Sequence, residues 1–166
     1  MLTAKQIIEK FEMEPLRIEG GFIKVVDVSD EIIRKDALPS RYDVDKPIYG
    51  TILYLITPDS FSKMHFLPTD EVYHFYLGDP VEQLQLLEDG TGRIVRLGQD
   101  ILNGECVQSI APANAWHGSR LVEGGSFALM GTTMAPAYSE NEYIHGVRQT
   151  LIEKFPEFKQ AIIDRT

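Results

Sequence analysis

The spacing of apolar and polar positions changes character twice along the chain. From Thr3 to Met13 the apolar residues Ile7, Ile8 and Phe11 recur on one side of a 3.6-residue period, Thr3 stands where a helix cap is wanted, and Pro15 lies just past the end. That spacing predicts a short amphipathic helix over about 3–13. From Gly20 the pattern becomes that of strands, first in GGFIKVVDVS and then, after a polar segment holding Pro39 and Pro47, in GTILYLIT. Further strands are predicted at Glu71–Leu77, Glu82–Leu87, Gly92–Arg96, Cys106–Ala111 and Ser126–Thr133. Turn signals at Gly78-Asp79-Pro80, Asp89-Gly90, Asn103-Gly104 and Gly124-Gly125 separate them. Past Pro136 the helical period returns in Tyr143, Val147, Leu151 and Ile152 and again in Phe158, Ile162 and Ile163, which predicts helices within about 140–164, with a break or start at Pro156.

Many short strands at near-regular spacing predict an all-β-dominated fold, a jelly-roll barrel or sandwich over about 20–136, braced by terminal helices within a single domain, 1–166. Between Thr51 and Thr57 both parities are apolar, the mark of a strand covered on both faces. One covering surface is expected to be a second subunit, so the sequence predicts a homodimer.

Composition narrows the partners. With 25 acidic against 16 basic residues the net charge is −9, and no Lys/Arg run interrupts it, which works against binding nucleic acid or an anionic membrane surface. No apolar run approaches the roughly 20 residues of a membrane span. The first residues lack the pattern of a secretory signal and a lone cysteine cannot pair internally, so a cytoplasmic home is expected.

The chemistry-bearing side chains concentrate in two places. In SKMHFLPTDEVYHFYLGDP, His65 closes one strand and Glu71 opens the next across the turn at Pro68, a geometry that lets both point into one cavity. In APANAWHGSRL, His117 follows a Pro-containing turn. By strand parity His74 faces away from Glu71 and Tyr73 and reads as structural, Asp70 reads as an exposed neighbour, and His145 as a surface residue. Tyr54 and Tyr73 offer phenols as proton donors or serve as amphipathic core residues. Trp116 reads as core, rim or a sugar-stacking platform, and Arg120 as a clamp for an anionic group or half of a surface ion pair. Cys106 has no activating neighbour. The chain has no Gly-rich phosphate loop, nucleophile elbow or Cys-x-x-Cys pair.

These residues resemble the cupin motifs. His65, then Glu71, then six residues and Gly78 match the first motif; Pro112 and His117 match the second, with Asn114 where Gly is usual. Leu67 replaces the second histidine of the first motif and Leu121 the closing asparagine of the second. More closely, TILYLITP, FSKMH, TDEVYHFYLGDP, LGQD, NGECVQSIAPANAWHGSRL and FALMGTTMAP resemble one cupin family long catalogued as being of unknown function. The resemblance implies a small-molecule site inside the β structure, with three activities open. One is an isomerase or epimerase acting on a sugar or related polar compound, with His65 as base and Glu71 or Tyr73 as acid, and Tyr54, Trp116 and Arg120 contacting the substrate. The second is a divalent metal site on His65, Glu71 and His117, weakly held because one imidazole is missing. The third is a non-catalytic binding protein.

Overall fold

The computed structural model describes residues 2–166. Strands numbered along the chain form two antiparallel sheets packed face to face. The first runs in the order β1 (Glu14–Pro15), β2 (Phe22–Val28), β5 (Gly50–Ile56), β12 (Ala128–Met134), β7 (Glu71–Gly78), β10 (Gln108–Ala111). The second runs β13 (Ile144–His145), β6 (Ser62–Phe66), β11 (Trp116–Leu121), β8 (Val81–Leu86), β9 (Gly92–Leu97). A small ribbon, β3 (Ile32–Ile33) with β4 (Lys46–Pro47), stands apart. The architecture is a sandwich rather than a closed barrel: β9 and the chain entering β10 meet through a single bridge, Leu97 to Cys106.

Burial follows the strand period. Alternate residues of both sheets, among them Tyr54, Ile56, Tyr73, Phe75, Leu97 and Met130, fill the space between the sheets. The opposite parity of the first sheet is covered by helix α1 (Ala4–Phe11), whose Ile7 packs with Met13 against Leu55, Phe127 and Leu129. Helices α2 (Arg148–Lys154) and α3 (Lys159–Ile163) do the same for the second sheet, setting Leu151, Phe155 and Ile162 on Met64, Leu84 and Leu86. Helix α1 starts where its sequence directs: Thr3 accepts from the Gln6 backbone while the Gln6 side chain returns to the Thr3 backbone, a complete capping box.

Two sequence expectations change here. The doubly apolar strand β5 is covered on one face by the sandwich interior and on the other by α1, so its second apolar parity is satisfied within the chain. The helical stripe expected from Tyr143 begins only at Arg148. Ile144 and His145 instead form β13, paired with Phe66 and His65, and the Gly146 N–H donates to the Met64 carbonyl at 2.8 Å. The open edge of β6 offers hydrogen bonds that a helix at this position would leave unmade.

Candidate functional site

His65 and His117 are direct partners across the β6–β11 pair, so both side chains leave the second sheet on the same face. Their rings meet edge to face, with centroids 4.1 Å apart. Glu71 and Tyr73 approach from β7 in the opposite sheet, and the four side chains converge in the interior. The β6–β11 register shifts between His117 and Ser119, where Gly118 lies against the backbone of Ser62 and Met64. The irregularity lets Ser62 and His65 both point inward although simple alternation would oppose them.

Hydrogen bonding fixes the imidazoles. His65 Nδ1 lies 2.8 Å from the Lys63 carbonyl and His117 Nδ1 lies 3.3 Å from the Ala115 carbonyl. A carbonyl only accepts, so each Nδ1 carries the proton and each Nε2 is turned toward the centre. There His117 Nε2 stands 3.1 Å and His65 Nε2 3.9 Å from Glu71 Oε2, while the Tyr73 hydroxyl donates to the same oxygen at 2.9 Å. His65 Nε2 is shielded from solvent and has no hydrogen-bond partner.

A second carboxylate faces His65 from the other side. Glu19 Oε2 lies 4.0 Å from His65 Nε2, and its Oε1 accepts from the Ser62 hydroxyl at 2.6 Å and lies 3.0 Å from the Tyr54 hydroxyl. Its position is set by the next two residues: Gly20 and Gly21 have φ of +112° and +73°, and a β-carbon on Gly21 would sit 2.7 Å from the Tyr54 ring. The Glu19 carbonyl is tied to β6 through the Lys63 N–H at 3.0 Å.

Charge follows from these neighbours. Burial disfavours an imidazolium at His65, but the negative charges of Glu19 and Glu71 outweigh it and push the group up to about 9. At 3.9 and 4.0 Å these are charge attractions rather than hydrogen bonds. Burial likewise works against ionised Glu71, yet the hydrogen bond from His117 and the nearness of His65 hold it well below the usual carboxylate range. Burial, followed by the carboxylate of Glu19 or Glu71, raises Tyr54 and Tyr73 well above the ordinary phenol value, so both stay protonated donors.

The donor set suits a divalent first-row metal. His65, Glu71 and His117 each offer one ligand atom, all within 4.8 Å of one another. Ligand atoms that sit about 2.0–2.2 Å from one ion are separated by at most about 4.4 Å, so the 3.1 and 3.9 Å separations measured here are compatible with a shared centre. The unpartnered His65 Nε2 and the backbone bonds to both Nδ1 atoms are the arrangement that metal-binding histidines use. Leu67, buried at the cavity wall, stands where the resemblance expects a further imidazole.

The centre opens into a cavity of about 210 Å³, with Glu19, Glu71, Leu67 and Tyr143 among its lining residues. Tyr143 stacks on the His65 ring at 5.2 Å. The segment carrying it is anchored by Glu142, whose carboxylate lies 2.5 Å from the amine of fully buried Lys46, itself 2.8 Å from the Ser139 hydroxyl.

Of the residues singled out in the sequence, His65, Glu71, Tyr73 and His117 meet at this centre, and Tyr54 reaches it through Glu19. Trp116 and Arg120 lie elsewhere. Trp116 packs on Phe66 and the cluster beneath the C-terminal helices, while Arg120 pairs with Asp164 at 2.9 Å beside a separate surface depression. His74 contacts Gln108 away from the centre, and His145 is exposed on the edge strand. Glu19, Ser62 and Tyr143 carry no sequence signal of their own, although the Gly20-Gly21 pair marks the turn that aims Glu19.

The family profile described as the Cupin superfamily (DUF985), Cupin_5, matches residues 5–144. The chain belongs to this cupin family. A hypothetical protein from Leishmania major superposes with a TM-score of 0.88 at 24% identity over 99% of each chain. A protein from Shewanella oneidensis gives 0.87 at 23% identity over 100% of this chain and 98% of its own. Oxalate decarboxylase from Bacillus subtilis is similar more distantly, with a TM-score of 0.51 and 15% identity over 89% of this chain and 35% of that one. At these identities the likenesses establish the fold. A comparison with curated proteins found no match. Among the described residues no helix is long and apolar enough to cross a membrane.

Proposed function

We propose that this cupin is a metal-dependent enzyme acting on a small molecule, with His65, Glu71 and His117 as the ligands of a divalent first-row cation. The observation that carries the reading is the pair of imidazoles locked through Nδ1 to backbone carbonyls, with both Nε2 atoms turned on one carboxylate oxygen. A cation held there supplies Lewis-acid polarisation of a substrate oxygen or activation of water. The protein's own groups do the rest. Tyr73 holds Glu71 in place, Glu19 offers a second carboxylate for moving a proton beside His65, and Leu67 and Tyr143 shield the centre from water. Three donors with one imidazole missing imply weak retention, so protein isolated without added metal should carry well under one equivalent.

The test is metal content after incubation with Mn²⁺, Co²⁺, Ni²⁺ or Zn²⁺ and gel filtration. One equivalent in the parent protein and less than about a tenth in His65→Ala and Glu71→Gln is the expected outcome; equal retention by the variants would refute the ligand set.

A metal-free isomerase or epimerase is favoured by a different observation. The Tyr73 hydroxyl and His117 hydrogen-bond to Glu71 and His65 stands 3.9 Å from it without any ion, which sets proton carriers side by side. The charges there favour ionised Glu71 as base and His65 or Tyr73 as acid, the reverse of the His65-base role expected from the resemblance. Turnover that survives chelation would favour this second reading. Saturable binding with no product under either condition would favour a binding protein.

A further inference from the structure

The cavity above the metal centre has a composition that bears on what enters it. Ile18, Ile23, Val28, Ile52, Leu67 and Met134 supply hydrocarbon walls, and no lysine or arginine lines it. Lys46 is turned to Glu142 and Ser139 instead. The charged lining groups are the carboxylates Glu19 and Glu71, which together offset a divalent cation and leave no surplus positive charge for an anionic ligand. At about 210 Å³ the space is below the roughly 300–1,000 Å³ of pockets for drug-sized molecules. Among the lining hydroxyls without a hydrogen-bond partner, that of Tyr143 is shielded from solvent, so it has no water to turn to. The Thr51 hydroxyl, by contrast, is paired with Thr133.

We infer that the cavity takes a compact, uncharged, mainly apolar molecule bearing a carbonyl or hydroxyl oxygen, and that Tyr143 donates the hydrogen bond that orients that oxygen. The inference rests on the reading of His65, Glu71 and His117 as the reaction centre, which meets the cavity at Glu71. A polyol of the same size would surrender several bonds to water against walls that return few. A carboxylate or phosphate would bring a charge beside two carboxylates that already face His65, with no lysine or arginine in the lining to pair with it. The ligand class therefore differs from the carbohydrate-like compound expected from the resemblance and from the dianion that the oxalate decarboxylase acts on by its name.

Four six-membered-ring probes separate these classes: cyclohexanone, methylcyclohexane, cyclohexanecarboxylate and glucose, titrated by amide NMR into metal-free and Zn²⁺-loaded protein. Cyclohexanone should saturate shifts at cavity residues and bind at least about tenfold more tightly than the carboxylate or glucose. Tyr143→Phe should weaken cyclohexanone by about fivefold or more while leaving methylcyclohexane unchanged. Glucose or the carboxylate binding as tightly as the ketone, or no probe shifting the cavity, would overturn the ligand class. An unchanged ketone affinity in Tyr143→Phe would overturn the role of Tyr143. If Zn²⁺ leaves the His65 and His117 ring signals unmoved while the probe ranking holds, the metal reading fails and the ligand class stands.

Discussion

At the scale of single residues the centre is a competition between a proton and a metal for His65. The imidazole is pushed from 6.5 up to about 9 by Glu19 and Glu71, so in the metal-free protein its favourable interactions are fully present below pH 6.5 and are lost as the pH rises through about 9. A shift of this size corresponds to about 3 kcal/mol. Chemical denaturation of metal-free protein should accordingly show falling stability between pH 7 and pH 9.5, and His65→Gln should flatten that slope. Binding a cation must expel the same proton, so below about pH 9 apparent metal affinity should rise about tenfold per pH unit, with about one proton released per ion. Calorimetry in buffers of different ionisation enthalpy measures that proton directly; no buffer dependence at pH 7 would contradict the charge assigned to His65. Leu67→His tests the missing donor. An imidazole at this wall should slow metal loss during dialysis by about tenfold or more, whereas unchanged retention would place the side chain out of reach of the ion.

Elements decide which side chains could be recognised beforehand. Strands β5, β7 and β12 stand out in the sequence as apolar runs bounded by turn signals. Strands β6 and β11 do not, since their inward faces hold Ser62, His65, His117 and Ser119, and a polar interior erases the alternation. Motif spacing, not periodicity, made His65, Glu71 and His117 legible. Glu19 was illegible for another reason: it lies in a turn, where no period says which way a side chain points, and the Ser62 that binds it depends on an irregularity in β6. Strand β13 was read as helix because Tyr143, Val147 and Leu151 have helical spacing, while the edge that captures Ile144 lies nearly eighty residues away. Gly21→Ala must place a β-carbon against Tyr54 at positive φ, so it should cost about 1–3 kcal/mol and weaken metal binding by displacing Glu19. Parent-like stability and affinity in Gly21→Ala would show that the turn does not position the site.

For the whole molecule the open question is association. The covering of β5 by α1 removes the surface first assigned to a subunit contact, yet another apolar surface takes its place. Strand β1 pairs only with Phe22 and Ile23, so among the described residues the rest of the outer edge of β2 has no strand partner, and Val25, Val26 and Val28 are exposed along it. We propose that a two-fold dimer forms by contact at this edge, because such an edge is otherwise open to indiscriminate pairing. Light scattering should give twice the 18.8 kDa chain mass at micromolar concentration, and Val26→Lys should return it to the chain mass. A monomeric parent protein would end the proposal and leave the set of His65, Glu71 and His117 in place, since all three come from one chain.

Anomalous diffraction from crystals grown with Co²⁺ decides whether His65, Glu71 and His117 hold one metal ion. A single strong peak is expected at the cobalt edge between the two sheets, within about 2.0–2.3 Å of both Nε2 atoms and a Glu71 oxygen. A map with no peak there at saturating cobalt, or with cobalt bound only at the surface, would contradict it.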